Sequence, residues 1–385
     1  MKTISPYLRP FSLMLKPVGA RCNLACRYCY YLDKAELYPV SGKLQMSDEV
    51  LETAIRQYIE SQPTREVVFV WHGGEPTLLP LAFYRKIVRI QQRYAQGHLI
   101  SNCLQTNGTL LTDEWCRFLA DEDWLVGVSI DGPEQLHDAL RRTRGGGPTF
   151  AQVIKSIECL QRTGVKWNAM ATVNSANADF PSVFYAFFRQ IGCKYIQFTP
   201  IVESDPQSGA VTAESVTPEQ WGNFCKGIFD EWVRLDDIGH VFVQLFDATL
   251  ANWTGYVPGV CTLGRECGDA LVMEWNGDVY SCDHFVGRNS LLGNVTRTHL
   301  AQLASLPAQR NFGRQKASAL PQECQECQWL QLCHGECPKN RLSADRYGQP
   351  GLNYLCEGYK MFFEHSSAVM NQLKDEICNT RKPNQ

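Results

Sequence analysis

Three cysteines fall within eight residues, spaced Cys22-x3-Cys26-x2-Cys29, and no fourth cysteine or histidine lies close by. A tetrahedral zinc site wants four ligands, usually in CxxC pairs. Three thiolates suit a cubane iron–sulfur cluster instead, because each holds one iron of four and the last iron stays open. An open iron is a place for a small molecule to bind. Packing alone is a poor account of a reduced triplet this dense.

Eight more cysteines run Cys261-x5-Cys267-x14-Cys282, then Cys324-x2-Cys327-x5-Cys333-x3-Cys337-x18-Cys356. Eight make two complete sets of four, and spacing alone does not assign the sets. CxxC pairs suit zinc as well as iron–sulfur, so one or two structural zinc ions stand as the alternative. Full four-cysteine ligation leaves no open iron. Clusters held that way carry electrons or shape a site. The other six of the 17 cysteines (Cys103, Cys116, Cys159, Cys193, Cys225, Cys378) are scattered, mostly in apolar segments. They read as buried small hydrophobes.

The total of 17 is odd and clustered, which in a reducing cytoplasm points to metal rather than disulfides. Met1 to Pro10 contains two prolines, and the apolar run Phe11 to Leu15 is too short for a signal-peptide core. Nothing approaches an 18-residue apolar segment, so a cytoplasmic protein with no membrane span is expected. A net charge of −3 points to neither a nucleic-acid nor an anionic-membrane partner. With 385 residues and 44% hydrophobic content, the chain is long enough for a catalytic domain and a smaller one.

The elements that must position these cysteines follow a βα rhythm. Strands are expected at Phe11 to Leu15, Glu66 to Trp71, His98 to Leu104, Leu125 to Ile130, Trp167 to Val173 and Tyr195 to Thr199. Helical patterns alternate with them, at Leu51 to Ile59, Leu81 to Tyr94, Thr112 to Leu119, Phe150 to Leu160, Val183 to Phe188 and from Thr217 to about Leu235. Thr217-Pro218-Glu219-Gln220 is a capping box with proline at the first helical position. Six βα units imply a parallel sheet, open because a closed barrel needs eight: an α/β partial (β/α)6 barrel. The cysteine loop follows the first strand. His72-Gly73-Gly74-Glu75-Pro76, Gln105-Thr106-Asn107-Gly108 and Asp131-Gly132-Pro133 follow the next three, all at the sheet end that carries active sites in α/β barrels. Residues 203–216 read as a loop at the same end. Residues 1–236 form this core, 237–260 a connector, and 261–385 a turn-rich, cysteine-dense domain. That domain holds a hairpin about the Asn276-Gly277 type I′ turn and a closing helix, about Leu355 to Ile377.

Taken together, CNLACRYCYY, WHGGEPTL, QTNGTLL, SIDGP followed by His137-Asp138 and Arg141, YIQFTP, and the C-terminal cysteine array resemble the anaerobic sulfatase-maturating enzymes. These are radical S-adenosylmethionine (SAM) proteins with a C-terminal SPASM domain. The resemblance spans nearly the whole chain. It implies a 4Fe–4S cluster on Cys22, Cys26 and Cys29 whose open iron chelates SAM. It also implies two auxiliary 4Fe–4S clusters, one on Cys261, Cys267, Cys282 and Cys337 and the other on Cys324, Cys327, Cys333 and Cys356. In the family, a 5′-deoxyadenosyl radical takes the β-hydrogen of a Cys or Ser in a sulfatase peptide, a base takes the thiol or hydroxyl proton, and one more electron leaves. The product is Cα-formylglycine.

By the same resemblance Tyr28 contacts SAM, Gly74 lines up with its amino group through a close backbone approach, and Ser129 bonds the ribose. Arg141 pairs with the carboxylate, and Val202 makes a backbone contact to adenine. Asp283 is the expected base, with a pKa raised by burial and His284 as its rival. His72 stands where some relatives carry glutamine. The implied partners are a sulfatase polypeptide and a reductant protein such as a flavodoxin or ferredoxin. A SPASM enzyme making another peptide modification, for instance a cross-link, is the alternative. Only about ten residues before the first strand argue against the extra N-terminal peptide-binding domain such enzymes often carry. A non-catalytic iron–sulfur or zinc protein leaves the open triplet and the strand-end loops unexplained.

Overall fold

A computed structural model describes residues 9–38, 44–205 and 207–380. The reading of Met1 to Pro10 therefore rests mostly on residues outside the described ones, and residue 206 of the expected loop is outside them too. Along the chain run β1 (Ser12–Lys16), α1 (Asp48–Glu60), β2 (Glu66–Trp71), α2 (Leu81–Tyr94), β3 (Leu99–Thr106), α3 (Asp113–Asp121) and β4 (Leu125–Ser129). Next come α4 (Glu134–Leu140), α5 (Phe150–Thr163), β5 (Lys166–Val173), α6 (Pro181–Gln190), β6 (Tyr195–Pro200), α7 (Pro218–Arg234), β7 (Phe242–Val243) and α8 (Gln244–Trp253). Then follow β8 (Ala270–Glu274), β9 (Asp278–Tyr280), β10 (Leu291–Asn294), α9 (Leu300–Ala304), α10 (Pro307–Ser318), α11 (Gln322–Gln325), α12 (Leu330–Cys333), the short strands β11 (Ser343–Ala344) and β12 (Pro350–Leu352), and α13 (Cys356–Thr380). Among the described residues no helix is long and apolar enough to cross a membrane.

Two compact units emerge, neither continuous in sequence. The first comprises Met1–Ser129, Arg141–Trp167 and Gly268–Arg314; the second comprises Ile130–Leu140, Asn168–Cys267 and Gln315–Gln385. In the first, strands lie in the order β10-β9-β8-β1-β2-β3-β4. β1 to β4 are parallel, as their βα connections require. The C-terminal hairpin is not packed apart from this sheet as expected. β8 pairs parallel with β1, with Lys16 opposite Glu274. An unpaired β1 would leave a row of backbone donors open at an edge, and β8 closes it. The run ALVME is buried over four of its five residues, which suits a central strand.

The hairpin turn also differs from expectation. Gly277 adopts φ +89°, Asn276 does not share the left-handed region, and the Gly277 N–H bonds the Glu274 carbonyl at 2.9 Å. This is a three-residue loop closing on a left-handed glycine, not a two-residue type I′ turn. The Asn276 side chain instead accepts from the Asp278 N–H at 3.1 Å.

In the second unit β5, β6 and β7 are parallel neighbours. β7 is a short seventh strand within Val241 to Phe246, a stretch whose sequence allows either a last strand or a connector, and it feeds directly into α8. Phe184, Phe198 and Phe224 form an aromatic core with centroids 5.1–6.4 Å apart. The capping box at Thr217 and Gln220 forms as read from the sequence. The loop at 203–216 closes on itself through a Ser204–Val211 bridge and a Thr212 N–H bond to the Glu203 carbonyl at 2.9 Å. Cys116, Cys159, Cys193 and Cys225 are buried, but Cys103 is half-buried and Cys378 exposed. Cys378 sits on the solvent face of α13, where an apolar-looking stretch still leaves one side of a helix in water.

Candidate active site

Cys22, Cys26 and Cys29 are all half-buried, on the loop that leaves β1. Three other segments of the first unit clasp that loop. The glycine motif after β2 bonds its approach, Gly74 N–H to the Gly19 carbonyl at 2.8 Å and Glu75 N–H to the Arg21 carbonyl at 2.7 Å. The motif after β3 reaches its first cysteine, because the Asn107 side-chain amide lies 3.7 Å from Cys22 Sγ. The segment after Arg141 pairs with it, Ala25 N–H donating to the Arg142 carbonyl at 2.9 Å and Arg144 Nε to the Cys22 carbonyl at 2.8 Å. Glu75 anchors the assembly from below. It is fully buried and accepts from the Thr77 N–H, the Asn107 N–H and the Thr106 hydroxyl at 2.7–2.9 Å.

Gly74 is also packed tightly against the chain itself. A Cβ there would lie 2.0 Å from the Arg21 carbonyl oxygen. The close approach is to the chain's own cysteine loop. Tyr28 is buried, and the Arg141 guanidinium sits over its ring at 5.5 Å. Ser129 Oγ accepts from Gln105 Nε2 at 3.0 Å. Val202, in the second unit, is buried, and its carbonyl accepts from Lys339 Nζ at 2.6 Å. Asp131 of the fourth motif, also in the second unit, accepts from the Thr172 N–H and hydroxyl, both at 2.8 Å.

Asp283 is the centre of a charged cluster. Lys16 Nζ pairs with its Oδ1 and the Tyr30 hydroxyl donates to its Oδ2. The Lys16 side chain is wholly buried, and Asp283 keeps 15% of its side chain exposed. The Lys16 ammonium also lies 3.2 Å from the Tyr31 ring centroid, and the Tyr31 hydroxyl donates to buried Glu274. The expected upward pKa shift of Asp283 is reversed. Burial pushes it up, but the charges of Lys16, His72 and His284 and the Lys16 hydrogen bond outweigh that and hold the carboxyl well below its ordinary range. His72 is driven down to about 4, chiefly by burial. Its Nδ1 accepts from the Gly73 N–H at 2.7 Å, which leaves Nε2 carrying the proton. His284 stacks at a tilt on Tyr30, centroids 5.5 Å apart. Lys16, Tyr30, Tyr31 and Glu274 were not singled out from sequence. The available signal was a charge terminating each of two apolar strands.

In the second unit Cys324, Cys327, Cys333 and Cys356 line one cavity together with Trp329 and Phe363. Burial raises the Cys333 thiol to about 11 and the Cys356 thiol to about 12. Burial raises Cys324 as well, and such thiols ionise together only beside compensating positive charge, which a bound cluster supplies. Among the described residues no three His, Cys, Asp or Glu converge on a point that a single metal ion could occupy. Four cysteines about one cavity are a donor set that a cubane uses, one thiolate to each iron. Cys261, Cys267 and Cys337 belong to the second unit and Cys282 to the first. Wholly buried Lys316 donates to the Cys261 and Thr262 carbonyls and feels the charge of Cys261, Cys267 and Cys337. Between Cys333 and Cys337, His334, Gly335 and Glu336 all take left-handed backbone angles. Such a turn gives neighbouring cysteines divergent directions.

Residues 17–179 match the model of the radical SAM superfamily, and residues 261–328 match that of an iron–sulfur cluster-binding domain, SPASM. A serine-type anaerobic sulfatase-maturating enzyme of Bacteroides thetaiotaomicron is 52% identical over 99% of this chain and 95% of its own length. The chain belongs to the anaerobic sulfatase-maturating enzymes. A cysteine-type member from Clostridium perfringens is 32% identical over 93% of this chain and 96% of its own. The solved structure of native anSMEcpe with bound AdoMet and Cp18Cys peptide superposes with a TM-score of 0.87 at 31% identity, covering 96% of this chain and all of that one. As a radical SAM enzyme of this family, the chain combines 4Fe–4S clusters with SAM. The triplet, its clasps and the four-cysteine cavity are donor sets that fit those groups.

Proposed function

We propose that this enzyme oxidises a serine or cysteine side chain of a sulfatase polypeptide to Cα-formylglycine. Cys22, Cys26 and Cys29 would hold the SAM-binding cluster. Cys324, Cys327, Cys333 and Cys356 would hold one auxiliary cluster, and Cys261, Cys267, Cys282 and Cys337 the other. Tyr28, Gly74, Ser129, Arg141 and Val202 would seat SAM. When bound, these groups supply a hydrogen-atom acceptor for the substrate β-carbon and an acceptor for the remaining electron.

The observation that carries the reading is Asp283, a partly exposed side chain whose carboxylate is held charged by Lys16 and bonded by Tyr30 in the same compact unit as the cysteine triplet. It receives the hydroxyl or thiol proton of the substrate. The low pKa makes it a weak base in the ground state, but an ionised acceptor is present at every working pH. His284 lies next to it, and Lys16 with Tyr30 fixes the carboxylate at both oxygens. Serine is the expected target, because serine-type relatives reach 52% and 38% identity against 32% for the cysteine type. A flavodoxin or ferredoxin would serve as electron donor.

Mass spectrometry of a sulfatase-motif peptide incubated anaerobically with enzyme, SAM and a reductant tests this. A serine peptide should lose about 2 Da and a cysteine peptide about 18 Da. An unchanged mass with both, while SAM is still cleaved, would move the assignment to another peptide modification.

A further inference from the structure

We propose that Asn107 tunes the thiolate of Cys22: its side-chain N–H, aimed at the sulfur by a closed hydrogen-bond ring, sets the reduction potential of the cluster on the cysteine triplet. The inference rests on the triplet holding that cluster.

Asn107 is buried in the loop that leaves β3, and the orientation of its amide is fixed by its partners. The Thr109 backbone N–H can only donate, and the atom it meets at 3.0 Å is therefore Oδ1. The Thr109 hydroxyl donates to the same oxygen at 2.7 Å. The NH2 group must then face the other way. It has two hydrogens and two acceptors, Asn23 Oδ1 at 2.9 Å and Cys22 Sγ at 3.7 Å. Asn23 is held in turn, because its own NH2 donates to the Thr109 hydroxyl at 2.8 Å. Asn107, Thr109 and Asn23 thus form a ring with one N–H left over, and that one points at the sulfur. The backbone beneath is pinned to buried Glu75 through the Asn107 N–H at 2.7 Å, and the amide itself swings away only by breaking its bonds to Thr109 and Asn23. A second donor, the Leu24 backbone N–H, reaches the same sulfur at 3.3 Å.

The physical consequence has a definite sign. Reduction adds negative charge to an iron–sulfur cluster, and the thiolate sulfurs carry part of it. An N–H directed at a thiolate stabilises the reduced form more than the oxidised one and raises the potential. A fixed donor does this without reorganising on electron arrival. Removing it makes the cluster harder to reduce, so a given reductant loads fewer molecules with the electron that SAM cleavage needs.

Two substitutions separate tuning from shaping. Asn107→Leu removes both donor and acceptor. Asn107→Asp keeps the acceptor for Thr109, removes the donor and adds a negative charge. Each full-length protein is reconstituted anaerobically, its iron counted, and its reduction followed by electron paramagnetic resonance, using the part of the signal that SAM addition perturbs. The expected result is wild-type iron content with half-reduction at a lower potential in both variants, lowest for Asp, whose charge opposes the added electron. A wild-type potential at wild-type iron content overturns the proposal. Should Asn107→Leu lose iron, Asn107→Asp decides; loss of iron from both makes Asn107 a shaper of the loop and also overturns it. The underlying reading fails differently, if alanine at Cys22, Cys26 and Cys29 leaves the SAM-perturbed signal in place.

Discussion

Lys16 and Glu274 face each other at the ends of β1 and β8, and the first carries the burden of holding Asp283 charged. A buried ammonium is tolerated only because Asp283 and Glu274 lie around it. Breaking such a pair by removing one partner costs far more than removing both. Lys16→Met is therefore expected to cost about 3–5 kcal/mol of stability by leaving buried carboxylates unpaired. Lys16→Met/Asp283→Asn should recover part of the loss, read as the order of thermal midpoints. Asp283→Asn alone should still cleave SAM but form peptide product at least about 100-fold more slowly, the scale of a lost general base. Equal product formation by wild type and Asp283→Asn would remove the aspartate from the mechanism. Asp283 was legible only through its resemblance and its place after Cys282. Its low pKa was not, because the partner that reverses the effect of burial is far away in sequence. Lys16 reads as an ordinary polar strand end until β8 is seen to cover it.

The motif loops were legible as elements because each follows a strand whose apolar run is continuous. Their mutual contacts were not. Gly74 is read from sequence for its approach to a ligand, and its missing Cβ also makes room for the Arg21 carbonyl, a contact the sequence does not announce. A glycine of the same kind governs the second unit. α7 crosses α13 where Gly222 and Gly358 meet, and a Cβ on Gly358 would sit 2.3 Å from the Pro218 carbonyl oxygen. Alanine normally improves a helix by about 1 kcal/mol over glycine. Here overpacking against rigid backbone should outweigh that gain, for a net loss of about 1–2 kcal/mol. Because Cys356 is two residues upstream on the same helix, Gly358→Ala should also lower iron retention under mild heating. A raised melting temperature with full iron would show that the crossing relaxes at no cost.

At the scale of the molecule, β1 to β6 were legible to within one or two residues, whereas the division into compact units was not. Local periodicity reports neighbours along the chain, but the β1–β8 pairing joins its two ends. Residues 321–356 were legible mainly as a metal-dependent segment, and the structure explains why. They contain only short helices, turns and one small antiparallel strand pair (Ser343–Ala344 with Pro350–Leu352), with four thiols around one cavity and little continuous apolar face. Such a segment owes its order to what the thiols bind. Alanine at Cys333 should therefore release about four of twelve irons. Hydrogen exchange should rise there and at the start of α13, by about tenfold or more if local opening becomes easier by about 1.4 kcal/mol. The sheet of the first unit, with its own buried core, should keep its protection. Protection that stays high around the cavity after the iron has left would mean that packing of Trp329, Tyr359 and Phe363 suffices to order the segment, and the cluster there would be a passenger on a preformed fold.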